Sequence, residues 1–184
     1  MLLHVLDLEM NQPSGAIIQI GAVCMDMKTG IIKSQFSQYI NPQEKLDERI
    51  IALTGITQEM VDGGRSLKHV LEEMFWPWLA SKHICAWGSD VEQLIEISEI
   101  MGLRVPEGLN HYDAKAVASI LRCAFPSSRT RGGLKDTMDL FGVPFIGRQH
   151  DGLVDAMNTA KLLHHFVAVT KNMYFVKKLV GGFD

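Results

Sequence analysis

Two acidic residues interrupt an apolar stretch near the beginning of the chain. Asp7 and Glu9 lie in residues 2–9, LLHVLDLE, whose alternation predicts a β-strand. Because side chains alternate along a strand, both carboxylates project from one face, with Cα atoms about 6.6 Å apart. In a buried setting their repulsion demands a cation or a raised pKa, and carboxylate oxygens suit Mg²⁺ or Mn²⁺. The pair therefore indicates a metal site, unless it faces solvent on an edge strand.

Three further residues are candidates for the same site. Asp90 stands in the first turn of a predicted helix, where the helix dipole alone would explain an aspartate. His150 lies on a loop, and Asp155 follows it near the start of a helix predicted at residues 152–169. A loop histidine can lie over a metal that such a helix partly holds. A surface histidine and a first-turn aspartate are the alternatives. The competing acids are interpreted as helix caps or surface charges: Asp113, Asp136, Asp139 and Asp151.

The elements that must position these residues alternate between strands and helices. A hairpin closed by the turn MKTG is predicted at residues 16–26 and 31–40. A buried strand is predicted at residues 83–87. Helices are predicted from Ser66, from Ser89, and at about residues 114–124, 134–140 and 152–169. The helices that begin near Ser66, Ser89 and Gly152 have an apolar stripe at helical spacing. Ser89 and Glu92 have the spacing of a capping box, and the tryptophans at 76 and 78 fit packing better than base stacking. This order predicts an α/β fold around a mixed sheet.

The composition is typical of one globular domain. The chain has 184 residues, of which 47% are hydrophobic and 21% charged, and this excludes intrinsic disorder and collagen-like repeats. We expect a single domain over residues 1–184, with a core at about 1–169 and a C-terminal extension at 170–184. Three scattered cysteines argue against a disulfide framework and against a structural zinc site.

The charge and hydropathy patterns restrict the partners. No apolar run approaches the roughly 20 residues of a membrane-spanning helix, and the acidic pair would fall inside a signal peptide's apolar region. We therefore expect a cytoplasmic protein with no membrane partner. Residues 1–110 carry a net charge of −7 and residues 111–184 carry +4. An acidic centre beside a basic surface suits a metal-dependent enzyme that acts on phosphates, and the total of −3 disfavours non-specific coating of duplex DNA.

The joint pattern resembles the DEDDh exonucleases of the ribonuclease H-like fold, which include proofreading exonuclease subunits, ribonuclease T and oligoribonuclease. That family has Asp-x-Glu on the first strand, an Asp at the start of a mid-chain helix, and a late His followed five positions on by Asp. The matching residues here are Asp7, Glu9, Asp90, His150 and Asp155. The segments IIQIGAV, YINP, LTGIT, AWGSDVEQL and DAMNTAKLL extend the similarity from about residue 4 to residue 163.

The resemblance implies a ribonuclease H-like mixed sheet of about five strands flanked by helices. It also implies a 3′–5′ exonuclease that hydrolyses phosphodiester bonds and releases nucleoside 5′-monophosphates with two divalent cations, Mg²⁺ or Mn²⁺. Asp7 would bridge the ions, Glu9 and Asp155 would complete one site, and Asp90 would hold the second ion. His150 would take the proton from the attacking water.

Substrate contacts are predicted on both sides of the acids. Met10 and Asn11 follow the acidic pair, and LTGIT holds the family's position for a wedge near the terminal base, which implies contacts from Leu53, Thr54, Gly55 and Ile56. Four cationic residues are candidates for upstream phosphates, with a solvated surface position as the alternative for each: Arg129, Arg131, Lys135 and Arg148.

The expected partner is single-stranded nucleic acid with a free 3′ end, DNA ahead of RNA. An exoribonuclease is the first alternative. A non-catalytic nucleic-acid-binding module is the second, and the presence of all five site residues argues against it. The resemblance to ribonuclease T and oligoribonuclease leaves a homodimer open.

Overall fold

Five β-strands form one mixed sheet in the computed structural model, which describes residues 1–123, 125 and 132–179. They are β1 (Leu2–Met10), β2 (Ile17–Asp26), β3 (Ile31–Tyr39), β4 (His83–Ala86) and β5 (Asn110–Asp113). Their spatial order is β3-β2-β1-β4-β5, with β1 antiparallel to β2 and parallel to β4. The mixed sheet agrees with the prediction. Strand β5 was not predicted, because it is short and polar and lacks the apolar pattern that is typical of a strand.

Strand β1 lies at the centre of the sheet. Asp7 pairs with Gly21 of β2, Glu9 pairs with Gln19, and the other edge of β1 pairs with β4. A central strand has no free edge, so the edge-strand alternative for the acidic pair is wrong. The sequence left this alternative open because β4, the parallel neighbour of β1, follows only after a long crossover connection. The pairing of two such strands leaves no pattern in the local sequence.

The described helices flank this sheet. They are α1 (Glu48–Thr54), α2 (Gln58–Asp62), α3 (Leu67–His69), α4 (Trp76–Trp78), α5 (Asp90–Ile100), α6 (Ala114–Arg122), α7 (Leu134–Leu140) and α8 (Gly152–Leu179). A π-helical turn at Val70–Phe75 joins α3 to α4, so residues 67–78 form one helical segment, capped as predicted by the Ser66 side chain. The segment's tryptophans pack as expected: Trp76 is 6% exposed, and Trp78 contacts Phe36 and Phe75.

The two faces of β1 separate the core from the site. Leu6 and Leu8 pack toward the 67–78 segment and α5, whereas Leu3 and Val5 pack toward α8. Since side chains alternate along the strand, the acidic pair shares the face of Leu3 and Val5 and lies beneath the first turn of α8. The alternation predicted for residues 2–9 is confirmed.

One predicted helix cap and one predicted helix end are wrong. Ser89 is the N-cap of α5, but its side chain caps no main-chain N–H and instead accepts a hydrogen bond from Gln93. Its ψ of 15° is not the extended conformation that a capping box needs. Helix α8 runs past residue 169 to Leu179, since no glycine or proline interrupts the sequence before Gly181.

The competing acids behave as expected. Asp113 caps α6 by accepting hydrogen bonds from two main-chain N–H groups, and Asp151 caps α8 in the same way. Asp139 pairs with Lys135 on the surface, and Asp136 is exposed. Across the described residues, no helix combines the length and the apolar character that crossing a lipid bilayer requires.

His4 is a buried polar residue of β1 whose protonation state affects folding. Its Nε2 accepts the main-chain N–H of Ala80 at 3.0 Å, which leaves Nδ1 to contact the carbonyl oxygen of His83 at 3.3 Å. Burial lowers the pKa of His4, and the contact with His83 opposes this shift. The folded protein therefore binds fewer protons here than the unfolded chain.

We expect this histidine to make folding less stable as pH falls through about 6.5, the ordinary pKa of histidine. A His4→Gln protein keeps an acceptor for Ala80 but does not titrate. Thermal unfolding midpoints between pH 7.5 and 5.0 measure the effect, and the difference between wild type and variant isolates His4 from other titrating groups. Parallel pH profiles of the two proteins would contradict this expectation.

Candidate active site

The predicted site residues converge at the carboxyl end of β1. Asp7 and Glu9 project toward α8, whose first turn carries Asp155. His150 lies on the loop before α8 and donates its main-chain N–H to Asp155 Oδ2 at 3.0 Å. Glu9, His150 and Asp155 each offer one ligand atom, and these atoms all lie within 4.8 Å of one another. Two distant parts of the sequence thus meet at one point.

Asp90 approaches from the opposite side of β1. It is the first residue of α5, and its Oδ2 accepts the main-chain N–H of Leu8 at 3.2 Å. Its charge acts on Asp7 more strongly than that of any other acid. The hydrogen bond to the strand explains why this aspartate turns toward β1 instead of capping its own helix.

The carboxylates fit a divalent cation. Asp155 Oδ1 is buried and, within the described ranges, accepts no hydrogen bond. Glu9 is only 8% exposed. Leaving a buried anionic oxygen without a partner is costly, and a cation removes that cost. Carboxylate oxygens are the side-chain ligands that suit Mg²⁺ and Mn²⁺.

Burial and mutual repulsion make these acids hard to ionise without a cation. Burial raises the pKa of Asp7 well above its ordinary value, and the charges of Asp90, Glu9 and Asp155 raise it further. Burial, followed by the neighbouring acids, raises the pKa of Glu9 to about 7. Burial raises the pKa of Asp90 to about 6, against the opposing hydrogen bond from Leu8. Protons and a divalent cation therefore compete for the same oxygens.

A glycine in β2 allows α8 to reach the acids. A Cβ at Gly21 would overlap the carbonyl carbon of Gly152 and the nitrogen of Leu153 at the start of α8. The Gly152 N–H is held by Gln19 Oε1 at 2.9 Å, which fixes the helix start to the same strand. Gly21 pairs with Asp7, so this close packing sets the distance between Asp7 and Asp155.

We expect Gly21→Ala to lower stability and cation affinity together, because the added methyl group pushes α8 away from β1. Overpacking costs roughly 1–3 kcal/mol, and misplaced ligands weaken metal binding by about 10–100-fold. Thermal denaturation and Mn²⁺ titration calorimetry measure the two effects. Gly63→Ala is the matched control, since its Cβ would have its nearest contact at 3.5 Å. Wild-type Mn²⁺ affinity in Gly21→Ala would contradict this role of Gly21.

A cleft beside His150 contains one predicted cation and two residues that the sequence analysis missed. Lys135, Phe145 and Gln149 line it together with His150 and Asp155. Lys135 also pairs with Asp139. Phe145 and Gln149 precede the loop histidine, but neither residue type at that spacing carries a chemical signal. Arg129 and Arg131, the other predicted contacts on this side, lie outside the described residues.

The LTGIT segment forms the end of one helix and the start of the next. Leu53 is 48% exposed, and Gly55 ends α1 with a φ of 76°. Thr54 and Ile56 are 5% and 3% exposed, so any contact from these two would come from the main chain. Arg148 contacts this segment directly, through the carbonyl groups at the end of α1.

Asn11 ties the end of β1 to the segment before α1. Its side chain is 2% exposed, donates to Glu44 and to the Lys45 carbonyl, and accepts the Asp47 N–H. Any contact between Asn11 and a ligand would therefore come from its main chain. Met10 beside it is partly exposed.

A family model described as Exonuclease matches residues 4–163. The chain belongs to the exonuclease family. All five converging site residues lie inside the matched part, and the resemblance to the DEDDh exonucleases is confirmed.

Relatives in the exonuclease family differ in the polymer that their names specify. ERI1 exoribonuclease 2 of Danio rerio is 33% identical over 182 residues, which cover 84% of this chain and 32% of the relative. DNA polymerase III PolC-type of Thermotoga petrophila is 31% identical over 166 residues, which cover 88% of this chain and 11% of the relative. The chain thus spans about a third or less of these relatives.

A solved structure confirms the predicted fold class. The nuclease domain of 3′hExo, a DEDDh family member bound to rAMP, has a TM-score of 0.72 and 24% identity. The match covers 91% of this chain and 92% of that one. The five-stranded mixed sheet and its helices therefore form the ribonuclease H-like fold of the exonucleases.

Proposed function

We propose that this chain is a metal-dependent 3′–5′ exonuclease that shortens single-stranded nucleic acid and releases nucleoside 5′-monophosphates. The observation that carries the proposal is the convergence of Glu9, His150 and Asp155, whose ligand atoms all lie within 4.8 Å of one another, at a buried Asp155 oxygen that accepts no hydrogen bond from the described residues. Membership of the exonuclease family supports the same reaction class.

The four acids are the proposed ligands of two divalent cations. The charges of Asp90, Glu9 and Asp155 all act on Asp7, and Asp90 reaches β1 from α5 through its bond to the Leu8 N–H. Bound cations of this kind stabilise negative charge on the attacking and leaving oxygens of a phosphoryl displacement. Mg²⁺ and Mn²⁺ both suit the carboxylate oxygens.

His150 is the proposed base. The exposed imidazole stands next to Glu9 and Asp155, where a water attacking the phosphorus would lose its proton. Asp155 has two functions, because Oδ2 accepts the His150 N–H while Oδ1 is left for the cation. One carboxylate thus couples the position of the base to the metal site.

The choice of polymer stays a prediction. DNA is predicted ahead of RNA, and the name of the PolC-type relative refers to DNA. The name of ERI1 exoribonuclease 2 refers to RNA, which is the second candidate. Discrimination would depend on contacts with the sugar 2′-hydroxyl.

Matched DNA and RNA oligonucleotides of one sequence, labelled at the 5′ end, test the function directly. With Mg²⁺ or Mn²⁺ we expect products that shorten stepwise from the 3′ end, faster for DNA, and no products with EDTA. Asp7→Asn controls for a contaminating nuclease. Intact substrates with both metals, or early release of the labelled 5′ nucleotide, would refute the proposed activity.

We also propose that residues 1–184 form a single domain, in which α8 continues through most of the predicted C-terminal extension. Homodimer formation stays a prediction. Sedimentation velocity at several protein concentrations measures the oligomeric state.

A further inference from the structure

Arg148 joins the two segments that face each other across the site. It lies two residues before His150, on the loop that enters α8. Its Nη2 donates to the carbonyl oxygen of Ala52 at 3.3 Å and to that of Leu53 at 3.2 Å. One side chain therefore links the His150 loop to the carboxyl end of α1.

The end of α1 is built to receive this guanidinium. A helix cannot satisfy its last carbonyl groups from within, and its dipole favours a cation at that end. The last turn of α1 contains no basic residue of its own. A Cβ at Gly55 would overlap Arg148 Nη1, so the glycine that ends α1 also leaves the space that the arginine occupies.

The loop that Arg148 anchors has an unusual backbone conformation. His150 has a φ of 62°, in the left-handed region that few residues other than glycine adopt, and Gly147 has a φ of 86°. Such a conformation persists when the surroundings fix it from more than one side. Asp155 holds the loop at the His150 N–H, and Arg148 holds it two residues earlier.

We infer that Arg148 is a positioning residue that fixes the imidazole of His150 by bonding the loop to the end of α1. This inference rests on the proposed function, in which His150 is the base. It is an alternative to the prediction that Arg148 binds an upstream phosphate, and it is argued from the two carbonyl groups that Nη2 already bonds. Lysine would reproduce the link only in part, since its ammonium is strongly hydrated and stands on a flexible stem.

The rate constants distinguish positioning from phosphate binding. We expect Arg148→Ala to lower kcat by about 100-fold with KM unchanged, because a displacement of about 1 Å at the reacting centre costs that much. Arg148→Lys should restore only part of kcat. In a His150→Ala background, Arg148→Ala should cause no further loss. Arg104→Ala is the matched control, since Arg104 is exposed and forms a local ion pair with Glu107.

Hydrogen exchange gives a readout that does not depend on catalysis. In metal-free Arg148→Ala we expect the amides of residues 147–150 to exchange about tenfold faster than in wild type, as the loss of a charged hydrogen bond would produce. Arg104→Ala should leave them unchanged.

Two results would overturn the inference. One is a raised KM with wild-type kcat and a weaker salt dependence of binding, which would identify a phosphate contact. The other is unchanged exchange at residues 147–150. If the wild-type chain cleaves no oligonucleotide, the proposed function fails, and the exchange data still decide whether Arg148 fixes the loop.

Discussion

Asp7→Asn should abolish hydrolysis, with a loss of more than about 10³-fold in kcat. Asp7 is the acid on which the charges of Asp90, Glu9 and Asp155 all act, and it lies on the central strand. An amide neither supplies the negative charge nor bridges two cations, and metal ions contribute several kcal/mol of charge stabilisation at about 1.4 kcal/mol per tenfold in rate. Single-turnover hydrolysis with saturating Mn²⁺ measures the loss.

The same substitution should stabilise the metal-free protein. Burial and the neighbouring acids raise the pKa of Asp7, so the folded state resists ionisation that the unfolded chain permits above about pH 4. Asparagine removes that cost, and the midpoint of thermal unfolding should rise at pH 7 by about 2–4 °C per kcal/mol relieved. Adding Mg²⁺ should raise the midpoint of wild type but have little effect on the variant.

An exposed acid provides the control for both measurements. Asp62 is exposed and accepts a hydrogen bond from Gln58 that an amide oxygen can also accept. Asp62→Asn should leave kcat, stability and the response to Mg²⁺ unchanged. Substantial activity in Asp7→Asn, or a lower midpoint in its metal-free form, would show that the acids do not form the proposed cation site.

His150→Ala should slow turnover by about 10²–10⁴-fold while the protein still binds Mn²⁺. General bases contribute rate factors of that size, and all four acids are retained in the variant. The imidazole is exposed at the surface, so its removal should leave the unfolding midpoint near that of wild type. Single-turnover kinetics and Mn²⁺ titration calorimetry separate the two effects.

Imidazole added to the buffer should restore part of the activity of His150→Ala if the side chain acts as a base. The control is His69→Ala, because His69 is partly exposed on the 67–78 segment and contacts Arg65. Its kcat should equal that of wild type. Full activity in His150→Ala would remove this residue from the mechanism, and loss of Mn²⁺ binding would reassign it as a metal ligand.

The sequence alone predicted the residues that could do chemistry and most elements that carry them. Alternation in residues 2–9 placed Asp7 and Glu9 on one face, and helical spacing located the first turn that carries Asp155. These patterns are local, with periods of two or about 3.6 residues, so they can be recognised without knowing the partners of each element. The short polar strand β5 and the exact end of α8 were not predicted, because neither has a strong local pattern.

Only the tertiary structure decided whether those residues meet. The pairing of β1 with β4 makes β1 a central strand, the missing side chain of Gly21 admits α8, and the hydrogen bond from the Leu8 N–H turns Asp90 toward β1. The contact of Arg148 with α1 joins residues nearly one hundred positions apart, and no spacing rule predicts it. Local periodicity in the sequence determines on which face of a helix or strand a side chain lies. Packing between distant segments determines what that face contacts.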